Sequence, residues 1–102
     1  MEGHWSKQIF AHSPQQWGLR GDPYLWEEMK ASLVAVDLPA DSREFNRLLA
    51  DQFEKLVGLP LSHSGDVYVE RYAFGGMSSG HVCVRFWREE VIPMLCKRFE
   101  EL

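Results

Sequence analysis

Only two cysteines, Cys83 and Cys96, occur in the 102 residues, and no CxxC pair is present. That is too few for a disulfide scaffold, so packing must hold the fold. Long apolar runs are missing as well. The longest, Leu33 to Val36, is far short of the ~20 residues of a membrane span. No internal repeat, low-complexity stretch or linker divides the chain. No block of like charge occurs either: 11 Lys and Arg stand against 15 Asp and Glu, for a net charge of −4. Nucleic-acid binders carry a basic patch or stripe. Here Arg85, Arg88, Lys97 and Arg98 are interleaved with Glu89, Glu90, Glu100 and Glu101, so no nucleic-acid partner is expected. The opening Met1-Glu2-Gly3-His4-Trp5-Ser6-Lys7 lacks the apolar stretch of a secretory leader. A cytoplasmic protein with no membrane partner is the resulting expectation.

Hydrophobic residues make up 45% and charged residues 25%, which is ordinary globular composition and excludes disorder, collagen and coiled coil. The length allows a single domain over residues 1–102. Such a small domain has a thin stability margin, which four Trp, three Tyr and six Phe help to offset. Thirteen aromatics exceed what so small a core must hold, which places some of them at a surface suited to binding.

The first clear element begins at Asp22-Pro23, a good N-cap followed by a residue suited to the first helical position. Leu25, Trp26, Met29 and Leu33 follow at helical spacing, predicting a helix over Pro23–Leu33. Asp41 and Glu44 resemble a capping box, and Phe45, Leu48, Leu49, Phe53, Leu56 and Val57 form one apolar stripe. Gly58 and Pro60 then supply the stop, predicting a core helix over Asp41–Val57. A hairpin is expected from Asp66–Phe74 and Gly80–Val84, joined by the Gly-rich run Gly75 to Gly80. Leu33–Asp37 is a candidate third strand. A final helix over Arg85–Glu101 carries Trp87, Val91, Leu95 and Phe99 on one stripe, with a kink expected at Pro93. Met1 to Gln16 carry Trp5 and Phe10 but no sustained periodicity, and residues 1–16 read as a loosely docked arm.

The fold expected is therefore a small α+β domain, about three helices packed with a β-hairpin. Its core should include Leu25, Met29, Phe45, Leu48, Leu49, Phe53, Leu56, Val67, Val69, Val91, Leu95 and Phe99.

Two stretches are candidate sites. Trp17, Arg20, Asp22, Tyr24 and Trp26 crowd a tight turn at a helix start, and Trp, Tyr and Arg dominate protein-binding hot spots. The alternative is that Trp17 and Trp26 staple this turn to the body. The embedded Arg20-Gly21-Asp22 tripeptide is taken as coincidence.

The second stretch, Gly75, Gly76, Ser78, Ser79, Gly80 and His81, is a candidate ligand-binding or hydrolytic loop. Gly76 to Gly80 matches G-x-S-x-G, the pattern of a nucleophile elbow. Such an enzyme needs an acid and then a histidine after the serine. Only His81 follows, with no acid between. The G-x-x-x-x-G spacing also suits a phosphate loop, but His81 and Val82 stand where Lys and Ser or Thr would act. A flexible turn is the simpler account.

No metal site or cofactor is expected, because His4, His12, His63 and His81 are scattered and His81-x-Cys83 supplies two ligands where structural zinc wants four. Glu27-Glu28 and Glu89-Glu90 are adjacent pairs whose side chains diverge around a helix, which suits solvated faces and no catalytic role.

The stretch Trp17-Gly18-Leu19-Arg20-Gly21-Asp22-Pro23-Tyr24-Leu25-Trp26 carries a family resemblance. So does Tyr68 to Gly80, with Phe86-Trp87 and Ile92-Pro93 downstream. The chain resembles in these a group of small, single-domain, uncharacterised bacterial proteins. The resemblance covers most of the chain from Trp17 onward. It implies bacterial origin and cytosolic residence, and no activity. The leading functional expectation is a non-catalytic, immunity- or adaptor-like module with a protein partner. Acidity would speed its encounter with a basic partner. A homodimer is a further possibility.

Overall fold

The computed structural model describes residues 4–12, 23–73 and 76–102. Among these, helix α1 spans Trp5–Ile9, α2 Pro23–Ser32 and α3 Ser42–Val57. Strands β1 (Val67–Ala73) and β2 (Gly76–Val82) form an antiparallel hairpin. The C-terminal helix, α4, opens with Val84–Phe86, widens into a π turn at Trp87–Val91 and continues over Ile92–Glu100. The α+β expectation holds.

Helix α3 follows its sequence signals closely. The Asp41 carboxylate accepts from the Glu44 amide at 2.8 Å, satisfying one of the free N–H groups at the helix start. Gly58 ends the helix with φ +88°, a left-handed conformation that costs glycine little. Phe45, Leu49, Phe53 and Val57 are buried, while Leu48 and Leu56 pack at the margin of the core.

In α4, Pro93 has no N–H to donate, and its ring crowds the carbonyl of Glu89 in a regular helix. The π turn just before it absorbs that conflict. The Ile92 amide donates to the Trp87 carbonyl, five residues back. The kink expected at Pro93 is thus a widened turn on its N-terminal side.

The core runs between α3 and α4. Phe45 stacks on Phe99 with ring centroids 4.6 Å apart, and Phe53 packs on Trp87 at 5.6 Å. Leu25, Met29, Val91 and Leu95 are buried as expected, with Val67 and Val69 partly buried against them. Val82, Val84, Phe86 and Ile92 are also buried core residues, beyond those expected.

Two expectations are corrected here. The segment taken as a loose arm contains α1, and Trp5, Ser6, Ile9 and Phe10 on it are buried. Both sides of α1 are tied down. The Trp5 indole N–H donates to the Val36 carbonyl at 2.8 Å, and Arg98 donates to the Ile9 carbonyl at 2.7 Å. Buried Ser6 is satisfied by His4. The Ser6 amide donates to His4 Nδ1 at 3.1 Å, which leaves the ring proton to Nε2, and the Ser6 hydroxyl lies 2.9 Å from the same nitrogen. The candidate third strand at Leu33–Asp37 is instead a series of turns. The Leu33, Val34 and Val36 amides each donate to the carbonyl three residues back.

Arg98→Met keeps the aliphatic stem and removes the charged donor to Ile9. Urea unfolding should show a loss of about 2 kcal/mol, the scale of a hydrogen bond to a charged group. A loss below about 0.5 kcal/mol would mean that this contact does not hold α1.

Candidate functional site

The apolar stripe that buries one side of α3 turns Arg43, Glu44, Asn46, Arg47, Asp51 and Glu54 to solvent. Among the described residues, three concavities border this outer face. The largest, about 520 Å³, lies between the start of α3 and the end of α4, lined by Ser42, Arg43, Asn46, Arg47, Cys96 and Glu100. A second, about 230 Å³, opens between α3 and the segment after α2, where Val36, Asp37 and Pro39 face Arg47, Leu48 and Asp51. The third, about 380 Å³, is an open hollow bordered by Asp51, Glu54, Pro60, Leu61 and Arg88. Arg47 borders the first two and Asp51 the last two.

The walls have separate origins. Arg88 projects from the π turn and donates to the Leu61 and His63 carbonyls at 3.1 Å each, fixing the segment that forms one wall. The turns after α2, held by the Trp5 bond to Val36, fix another. Val34 and Leu38 in that segment are exposed at 40% and 57%. Among the described residues, no hydrogen bond or ion pair engages the side chain of Arg43 or Arg47. Both guanidiniums are available to an incoming acceptor.

Cys96 is the one thiol lining the concavity between α3 and α4. Burial pushes its thiol pKa up, and the neighbouring Glu100 carboxylate adds to the shift. The thiol is therefore neutral near pH 7 and a poor nucleophile. The sign for stability follows: keeping this thiol protonated favours the fold at neutral pH, and the benefit fades as pH rises through the folded-state value. No group of three or more His, Cys, Asp or Glu able to hold a metal ion occurs among the described residues.

Of the expected partner-binding residues, Trp17, Arg20 and Asp22 lie outside the described residues, and Tyr24 is partly buried. Trp26 is corrected. It is 1% exposed, with its ring 4.8 Å from Phe10, so it is a core residue and no surface anchor. The spacing from Trp26 to Met29 and Leu33 carries it onto the buried side of α2, where removing an indole from water strongly favours the fold.

Gly75 of the candidate loop lies outside the described residues. Gly76, Ser78, Ser79, Gly80 and His81 belong to strand β2, in register with Ala73, Arg71, Glu70, Val69 and Tyr68. The strand-to-helix junction falls at Cys83, five residues past Ser78, so Ser78 does not occupy the sharp turn of a nucleophile elbow. A phosphate loop turns its amides onto a ligand, whereas this backbone is paired as strand. The His81 ring lies 4.9 Å from Tyr68.

The outer face of α3 was not among the sequence candidates. Its residues read as a solvated helix face, and the concavities beside it come from segments 36–39, 60–62 and 96–100, distant in sequence.

No family profile, curated protein or solved structure matches the chain. Among the described residues, no helix is long and apolar enough to cross a membrane.

In a Cys83→Ser background, Cys96 should alkylate at pH 8 more slowly than a free thiol, and Glu100→Gln should raise the rate by about twofold. A rate matching free cysteine would contradict the assigned environment.

Proposed function

We propose that the protein is a non-catalytic protein-binding module, immunity- or adaptor-like, that engages its partner through the outer face of α3. The observation that carries this reading is the convergence of three concavities on that one face. Open hollows beside a helix receive side chains of a partner, and Arg43 and Arg47 offer donors suited to a carboxylate. Exposed Val34 and Leu38 provide the apolar contact that a polar face alone lacks. The net charge of −4 favours rapid encounter with a partner that is basic overall. The sequence candidates Trp17, Arg20, Asp22 and Tyr24 remain part of the proposed contact surface.

Affinity capture from source cells tests this directly, comparing the native chain with Arg47→Glu and with Lys7→Glu, at an exposed position of α1. One stoichiometric protein should be captured, lost by at least about tenfold with Arg47→Glu and retained with Lys7→Glu. Absence of a stoichiometric partner would overturn the proposal, and so would capture indifferent to Arg47→Glu.

A further inference from the structure

The hollow between the start of α3 and the end of α4 carries opposite charges on its two walls. Ser42, Arg43, Asn46 and Arg47 of α3 form one wall, and Cys96 and Glu100 of α4 form the other. The Phe45–Phe99 stack, with ring centroids 4.6 Å apart, joins the two helices at this end and fixes the walls relative to each other. The helix end itself is already served, because the Glu44 amide donates to the Asp41 carboxylate at 2.8 Å. Side chains therefore make this site.

Arg43 and Arg47 are four residues apart, so they leave the same side of α3. Like charges at that spacing repel and weaken a helix. Among the described residues nothing offsets the repulsion. Neither arginine takes part in an ion pair or hydrogen bond, and Glu100 across the hollow pairs with neither. The Cys96 thiol beside Glu100 is neutral near pH 7 and adds no charge. The lining thus presents two cations and one anion, held apart and unpaired.

We propose that this hollow binds an acidic α-amino acid, whose two carboxylates engage Arg43 and Arg47 and whose ammonium engages Glu100. Ligand and site then match charge for charge. A rise of 1.5 Å per residue sets the two arginine backbones about 6 Å apart along the axis, a span that the carboxylates of a four- or five-carbon diacid bridge. Guanidinium and carboxylate pair bidentately through charge-assisted hydrogen bonds. The Ser42 hydroxyl and Asn46 amide on the same wall supply further donors and acceptors. The volume of about 520 Å³ lies within the ~300–1,000 Å³ of small-molecule pockets. The site shares its arginines with the proposed protein-binding face, yet its ligand requires no protein partner.

Titration of the isotope-labelled full chain with L-glutamate, followed by amide chemical shifts at low ionic strength, tests the site. The shifts should saturate with a Kd of about 1 mM or tighter and cluster at residues 42–47 and 96–100. Arg43→Gln and Arg47→Gln should each weaken binding at least about fivefold, while Lys7→Gln on α1 leaves it unchanged. Glutarate keeps both carboxylates but lacks the ammonium, and should bind at least about threefold more weakly than glutamate. Glu100→Gln should erase that preference. In a Cys83→Ser background, saturating glutamate should slow Cys96 alkylation at least about threefold. No saturable shift up to about 20 mM overturns the inference, as does binding that survives both arginine substitutions. Glutarate binding as tightly as glutamate overturns the amino-acid assignment.

Discussion

The contact between α3 and α4 is the constraint on which the other elements depend. Phe45 on Phe99 and Phe53 on Trp87 hold the two helices together, and each aromatic buried there removes roughly 150–250 Å² from water. Helix α4 then acts as the holder of everything else. Arg98 on its last turn grips the end of α1, and Arg88 in its π turn grips the carbonyls of Leu61 and His63. Among the described residues the buried apolar side chains form one cluster, and in a domain of this size its loss is hard to compensate. The proposed binding face is a consequence of the same packing. Burying one side of α3 against α4 leaves the other side outward, and the segments clamped by Arg88 and Trp5 raise walls beside it.

Local and long-range information contributed unequally to what was legible in the sequence. Helix α3 could be read almost to the residue, because its cap, stripe and stop are local chemistry: Asp41, the Phe45–Phe53 spacing and Gly58. The end helices of the chain were harder. With five residues, α1 is too short to display a 3.6-residue period, and its stability comes from donors on Trp5 and Arg98 whose acceptors lie elsewhere. The pair Trp5 and Ile9, four apart, was its only trace. Trp26 illustrates a different error: residue type suggested an interface, while its spacing to Met29 and Leu33 had already assigned it to the core stripe.

The hairpin shows why glycine is an ambiguous signal. Gly76 to Gly80 suits a turn by composition, yet the stretch pairs as strand opposite a segment rich in β-formers. The candidate face on α3 was invisible for another reason. Arg43, Arg47 and Asp51 are ordinary residues for a solvated helix, and only the distant segments folded beside them create the concavities.

The central physical claim, that the aromatic contact between α3 and α4 holds the domain together, is tested most directly by a double-mutant cycle. Phe53→Leu and Trp87→Phe, singly and together, would be compared by urea unfolding. The account predicts a coupling energy of about 1 kcal/mol, the scale of a packed aromatic pair. Additivity within about 0.3 kcal/mol would contradict it.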